Sequence, residues 1–178
     1  MTVGATASGL SGQVVAATLR DGATVLLRRL EPADTDAVVA LHEALSDTER
    51  YFRFFTMHPA YLRKAADKLT AAEGDDYALG AFECDVLIGV ANYALGERPA
   101  TADIAIVVAH NQHLRGVGTA LLRQLAQVAR ENGIRHLVAD ILATNQLMFE
   151  VLHEAGLHPQ HNRYDRGVVH LDIDLTTV

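Results

Sequence analysis

The chain has 178 residues, 49% hydrophobic and 21% charged, with a formal net charge of −7 and one cysteine, Cys84. This balance fits one globular domain with a substantial core, and its acidity excludes a nucleic-acid binder that works by neutralising phosphates. A lone cysteine excludes an internal disulfide and a cysteine-based zinc site, and no apolar run reaches the roughly 18 residues of a membrane span, so a reducing, cytoplasmic setting is expected.

Residues 1–17 are rich in Gly, Ala, Ser and Thr and lack the basic start of a secretory signal, so they are expected to form a flexible tail ahead of a domain spanning 18–178. A strand is predicted within 18–30, where Thr24-Val25-Leu26-Leu27-Arg28 follows a turn at Asp21-Gly22. Pro32-Ala33-Asp34 opens a helix with Val38, Leu41, Ala44 and Leu45 at helical spacing and Asp34 as its cap. Residues 49–55, Glu49 to Phe55, hold three of the five phenylalanines. They read as a core plug rather than as an aromatic wall beside a cleft. Pro59 precedes a second helix with Leu62, Ala65, Ala66 and Leu69 on one face.

Three strands are predicted at 77–83, 86–95 and 101–109, joined by a turn at Cys84-Asp85 and a polar loop at 96–99. The short connections imply an antiparallel meander. The near-continuous apolar run of the third implies a strand covered on both faces. After a glycine-containing loop, residues 117–132 read as a helix with Leu121, Leu122, Leu125, Val128 and Ala129 inward and a stop at Asn132-Gly133. Residues 137–142 are a strand placed for parallel pairing across that helix. Residues 145–155 are a last helix and 167–175 a last strand, with Val169, Leu171, Ile173 and Leu175 on one side and Asp172 and Asp174 on the solvated other. The expected fold is a single α/β (α+β) domain in the order β-α-α-β-β-β-α-β-α-β, a mixed central sheet of six to seven strands flanked by about four helices.

A strand leading through a glycine loop into a helix makes an anion site. The first amides of a helix lack internal partners, and the helix dipole adds positive potential. Gly116 and Gly118 permit close backbone approach to a pyrophosphate, and Arg115 adds a mobile charge. His113-Leu114-Arg115-Gly116-Val117-Gly118 resembles the coenzyme A motif Gln/Arg-x-x-Gly-x-Gly/Ala of the GNAT superfamily of acetyltransferases, and the resemblance extends from about residue 24 to 175. Leu19-Arg20-Asp21-Gly22 with Leu27-Arg28-Arg29-Leu30, and Leu45-Ser46 with Tyr51-Phe52-Arg53-Phe54, are similar to the GNAT domains of bacterial protein-lysine acetyltransferases.

The resemblance implies acetyl-CoA as co-substrate, with no metal, and direct transfer to a primary amine, a protein lysine foremost. It implies a cradle of amides from Leu114, Arg115, Gly116, Val117, Gly118 and Thr119, with His113 where the family carries Gln or Arg. Ile106, Val107 and Val108 would offer backbone groups to the pantetheine arm, Val108 as amide donor to the thioester oxyanion, and Asn145 would contact the arm while capping its helix. Many members place a Tyr seven residues after that Asn as general acid; here the position is Leu152, and the protein-lysine branch is similar in lacking it. A lysine amine of pKa about 10.4 is neutral in only about one molecule in 2,500 at pH 7, so a base is required. The matching acidic residue is Asp103, one methylene shorter than the usual Glu.

Two other readings stand beside this one: an acyl-CoA sensor or interaction module without catalysis, and an acetyltransferase of small-molecule amines. The oligomeric state, monomer or dimer, is left open. No metal site is expected from the nine histidines, because neither His158 with His161 nor His110 with His113 shows a third ligand. Cys84 reads as an inert thiol.

Overall fold

The structure, a computed structural model, describes residues 13–54, 61–71 and 74–177. Residues 1–12 of the expected tail, Phe55 and Pro59 lie outside the described residues. Among the described residues, eight strands form one sheet in the order β1-β2-β3-β4-β5-β6-β8-β7. They are β1 Val15–Thr18, β2 Thr24–Arg29, β3 Tyr77–Glu83, β4 Val86–Leu95, β5 Thr101–Val108, β6 His136–Leu142, β7 His161–Asp165 and β8 Val168–Asp174. Five α-helices accompany them among the described residues: α1 Thr35–Glu43, α2 Asp47–Phe54, α3 Leu62–Thr70, α4 Val117–Glu131 and α5 Gln146–Glu154. No described helix is long and apolar enough to cross a membrane.

The meander β1 to β5 is antiparallel, and β5 pairs with β6 in parallel after the α4 crossover. The β3–β4 turn is tight because Cys84 and Asp85 both take left-handed backbone, φ 47° and 65°, as a two-residue hairpin of matching twist requires. One core cluster lies where α4 packs Leu121, Leu122, Leu125 and Ala129 on the sheet with Leu152 of α5. The other gathers Val38 and Leu41 of α1, Ala66 of α3 and Val90 and Val107 of the sheet.

Three elements exceed the sequence expectation. Strand β1 takes Val15, Ala16 and Ala17 from the segment read as a tail, because pairing with β2 supplies what small side chains cannot. Strand β7 is exposed along its whole length and carries no apolar alternation to reveal it, being an edge held by β8 alone. The aromatic segment is the helix α2, and none of its described residues is fully buried, so the core-plug reading is corrected.

Candidate active site

The parallel contact between β5 and β6 lasts three residue pairs, Thr101 with His136, Ala102 with Leu137 and Asp103 with Val138. Beyond Asp103 the strands part: β6 stays paired with β8 as far as Leu142, while β5 stays paired with β4. The result is a wedge opened in the middle of a sheet. A cleft of about 580 Å³ fills it, walled by β5, β6, α2, α5 and the loop before α4.

Strand alternation decides which backbone groups face the wedge. Ala109 donates its N–H to Ile88 O at 2.9 Å, toward β4. Residues one step away, Val108, Ile106 and Ile104, therefore present theirs to the open side. A linear ligand with amides of its own can pair there as an added strand. Val108 and Ile106 are the expected backbone donors whose amides face that side. Val107 is corrected: it turns its backbone toward β4 and its side chain into the core, because three successive strand residues cannot point the same way.

At the wide end of the wedge, none of the amides from 114 to 119 donates to a turn, loop or cap carbonyl among the described residues. Gly116, the residue that opens α4, has φ 93°, a conformation open to glycine and strained for other residues. Leu114 takes φ 64° at the strain that an L side chain brings. Val117, Gly118 and Thr119 form the first turn of α4. These unpartnered amides with the helix dipole behind them suit a pyrophosphate.

Arg115 does not supply the mobile charge expected of it. Its guanidinium is held by Glu83 at 2.8 Å and Asp21 at 2.6 Å, which raise its pKa further, and it also meets Gln112. It ties the loop to the β1–β2 and β3–β4 turns. The cation that lines the cleft beside this loop is Arg20, paired with Glu154 and donating to Leu114 O at 3.2 Å. Glu154 in turn accepts from Thr119 Oγ1 at 3.0 Å. Sequence reasoning used Arg20 only as part of a resemblance; its place after β1, facing the glycine loop, was hidden with that strand. Arg20→Ala is expected to raise the Kd for acetyl-CoA about tenfold, the low end for a charge-assisted hydrogen bond, with kcat nearly unchanged. Calorimetric titration against steady-state rates checks this.

Asp103 sits at the fork of the wedge. Although Asp103 reaches solvent, its partial burial raises its carboxyl above the ordinary value, the nearby Asp140 carboxylate adds to the rise, and Arg98 works against it. Asp140, on β6, also lines the cleft and accepts from His170 Nδ1. In the β4–β5 ladder Ala94 stands opposite Asp103 and Asn92 opposite Ala105. Directly opposed residues share a face, so Asp103 and Asn92 look toward the α1–α2 side. From there α2 adds Phe52 and Arg53, and Arg53 donates to Asn92 Oδ1 at 3.0 Å. Burial pushes the Arg53 guanidinium down to about 10. The aromatic-wall reading of Phe52 is thus the one that geometry favours.

Asn145 lines the cleft and caps α5, its Oδ1 accepting from Met148 N at 3.3 Å. Its amide nitrogen is free of that duty. Leu152 is 2% exposed and packs in the core, so α5 offers no hydroxyl there. Asp172 is not a solvated carboxylate: it accepts from His136 Nδ1 at 2.9 Å and pairs with Arg98 at 3.3 Å. His113 reaches back so that its Nε2 lies 3.0 Å from Val108 O and 3.4 Å from Glu49 Oε1. His110 Nδ1 lies 2.9 Å from the same Glu49 oxygen. The third side chain whose lack argued against a metal site is therefore present. Its signal in sequence was Ser46-x-x-Glu49, a capping box that announces α2.

The chain matches the family model of the acetyltransferase (GNAT) domain over residues 24–158. It resembles the crystal structure of the GNAT domain of S. lividans PAT at 31% identity and a TM-score of 0.80, over 90% of this chain and 96% of that one. It is 27% identical over 153 residues to an acetyltransferase of Pseudomonas aeruginosa, covering 83% of this chain and 82% of that protein. The yncA protein of Salmonella typhimurium, solved with its cofactor acetyl-CoA, shares the fold with a TM-score of 0.67 at 17% identity, over 85% of this chain and 94% of that one.

Proposed function

We propose, from the premise that this chain belongs to the GNAT family of acetyltransferases, that its acceptor is a protein lysine and that Asp103 is the base that frees the lysine amine. The family gives the coarse activity: the chain is an N-acetyltransferase and acetyl-CoA is its co-substrate. The residues present fit that co-substrate, with unpartnered amides at the start of α4 for the pyrophosphate and an open β5 edge for the pantetheine arm.

The observation that carries the finer reading is the placing of Asp103 at the fork, the last residue where β5 and β6 still touch. A thioester laid along β5 from the α4 end brings its carbonyl toward the middle of the wedge. An amine arriving from the α1–α2 side meets that carbonyl, with Asp103 farther along the same strand. The amine nitrogen bonds to the carbonyl carbon and its proton passes through a relay of waters to the Asp103 carboxylate, which stands five strand residues, roughly 16 Å, from Val108. The oxyanion that forms is held by the Val108 amide. The carbon–sulfur bond then breaks, and the sulfur leaves as a thiolate, acceptable without an acid because a thiol has a pKa near 8.5. Asp103 and Asp140, both exposed carboxylates in the cleft, favour a cationic acceptor. Their exposure suits a long side chain presented by a large partner. The likeness to the S. lividans PAT domain and the motifs around Leu19 and Tyr51 support the same acceptor class.

Thiol release from acetyl-CoA is the test, run with folded proteins, lysine peptides and small amines such as polyamines. Release with a lysine-bearing protein or peptide, mapped to a lysine by mass spectrometry, is the expected result. Release with small amines alone would move the acceptor to that class. Release with none, despite acetyl-CoA binding, would overturn the reading.

A further inference from the structure

Glu49, His110 and His113 come from two separate segments, the first turn of α2 and the loop before α4. Their ligand atoms nevertheless all lie within 4.8 Å of one another. We propose that these three side chains form a binding site for a divalent transition-metal cation of the zinc class, at the wall of the cleft.

Local structure explains why the three converge. His110 and His113 bracket a single 3-10 turn, His110–Gln112. With three residues per turn, positions three apart stand on one face, so the two imidazoles sit side by side with centroids 5.5 Å apart. Glu49 is aimed by the capping box of α2. Its Oε2 accepts from Ser46 N at 2.8 Å, and the Glu49 amide donates to Ser46 Oγ at 3.2 Å. One carboxylate oxygen is thereby fixed and the other, Oε1, is left toward both rings. This is the arrangement that orients a ligand before the metal arrives.

The donor set and its spacing select the cation. Two imidazoles and one carboxylate suit zinc and its neighbours, not calcium or magnesium, which take oxygen. Tetrahedral zinc with bonds of about 2.0–2.1 Å sets neighbouring ligand atoms about 3.3 Å apart. The observed separations of 2.9 Å and 3.4 Å from Glu49 Oε1 bracket that value. His110 is 76% exposed and free to adjust, while Glu49 and His113 are 15% and 26% exposed and pre-placed. Three protein ligands leave a fourth position for water or an anion. Metal binding would draw His113 Nε2 from Val108 O and link α2 to the loop that enters the phosphate cradle. Family members with Gln or Arg in place of His113 lack the second imidazole, so the site belongs to this chain and not to the common mechanism.

The test uses the full chain without an affinity tag, stripped of metal and titrated with cobalt(II) and then zinc. Cobalt reports coordination by its visible absorption, and competition gives the zinc affinity; neither readout depends on acetyl transfer. The expected result is one saturable site per chain, with intense tetrahedral-type absorption that zinc abolishes. Glu49→Gln and His113→Gln should each weaken zinc binding by more than the about 10–100-fold that loss of an outer-shell partner costs. His158→Ala, beside His153 at the far side of α5, should leave it within about twofold, the scatter expected for an independent site. Circular dichroism establishes that the variants are folded. Absent stoichiometric binding, or wild-type affinity in folded Glu49→Gln and His113→Gln, would overturn the proposal. Equal loss in His158→Ala would do so too, by showing scattered histidine binding.

Discussion

Asp103→Asn is expected to lower kcat/KM for a lysine acceptor by about 10²–10³-fold, within the range of a lost general base, and to leave the Kd for acetyl-CoA within about twofold, as expected of a residue that does not touch it. The loss should be largest below neutral pH, where almost every acceptor amine carries its proton. It should shrink as the pH approaches the amine's own pKa of about 10.4 and solvent does the work. Burial and then Asp140 raise the Asp103 pKa, which makes the carboxylate a stronger base once ionised. Removing the like charge, by Asp140→Asn, should therefore move the acid limb of the kcat/KM profile to lower pH. The stability sign separates catalysis from misfolding. A carboxyl whose folded pKa exceeds its ordinary 3.8 binds its proton more tightly in the folded state. Its contribution is present below 3.8 and is lost as the pH rises through the raised value. At neutral pH the Asn variant should accordingly melt no lower than the parent. A turnover that is unchanged at every pH would remove Asp103 from the mechanism; a lowered Tm would recast its loss as structural.

Much of this fold was legible because its central elements obey simple periods. The run 101–109 is apolar but for Thr101 and Asp103, and its first eight residues become β5, while Leu121, Leu122, Leu125 and Ala129 recur at helical spacing and become the buried stripe of α4. What escaped lacked a burial signal. Strand β7 has no buried residue, although Arg166-Gly167, with φ 48° and 86°, marks the hairpin turn that precedes β8. Helix α2 was hidden by its aromatics, which part ways in the fold: Phe52 lines the cleft, Phe54 packs on the buried His42 and Tyr51 is exposed. The site divides in the same way. Backbone parts of the cradle follow from glycines and a helix start, which are local. The partners of Arg115, the approach of Arg20 and the meeting of Glu49 with His110 and His113 depend on segments far apart in the chain, which no spacing encodes.

Gly118→Val is the substitution expected to affect cofactor binding most. A Cβ placed on Gly118 would stand 3.1 Å from Val151 Cγ1, 3.5 Å from Ile106 Cδ1 and 3.7 Å from Val108 Cγ2. The glycine is therefore the point where the first turn of α4, helix α5 and the open edge of β5 come together. Valine adds two methyl groups beyond that Cβ. They must push Val151 and Ile106 aside or stand in the channel that the pantetheine arm and pyrophosphate share. Overpacking of this kind costs about 1–3 kcal/mol, and when it falls on the binding channel the acetyl-CoA affinity should fall by about 10²-fold. Gly118→Ala separates the two effects. Alanine gains about 0.8–1.0 kcal/mol of helix propensity, which offsets the tight Val151 contact, so the Tm should hold while binding weakens by a smaller factor. Thermal melts with and without acetyl-CoA make the comparison in one experiment. The parent should rise on adding ligand, the Ala variant should rise less, and the Val variant should not move. A ligand-induced rise equal in all three would mean that the cofactor does not pass over the start of α4, and the assignment of residues 114–119 as its cradle would fall with it.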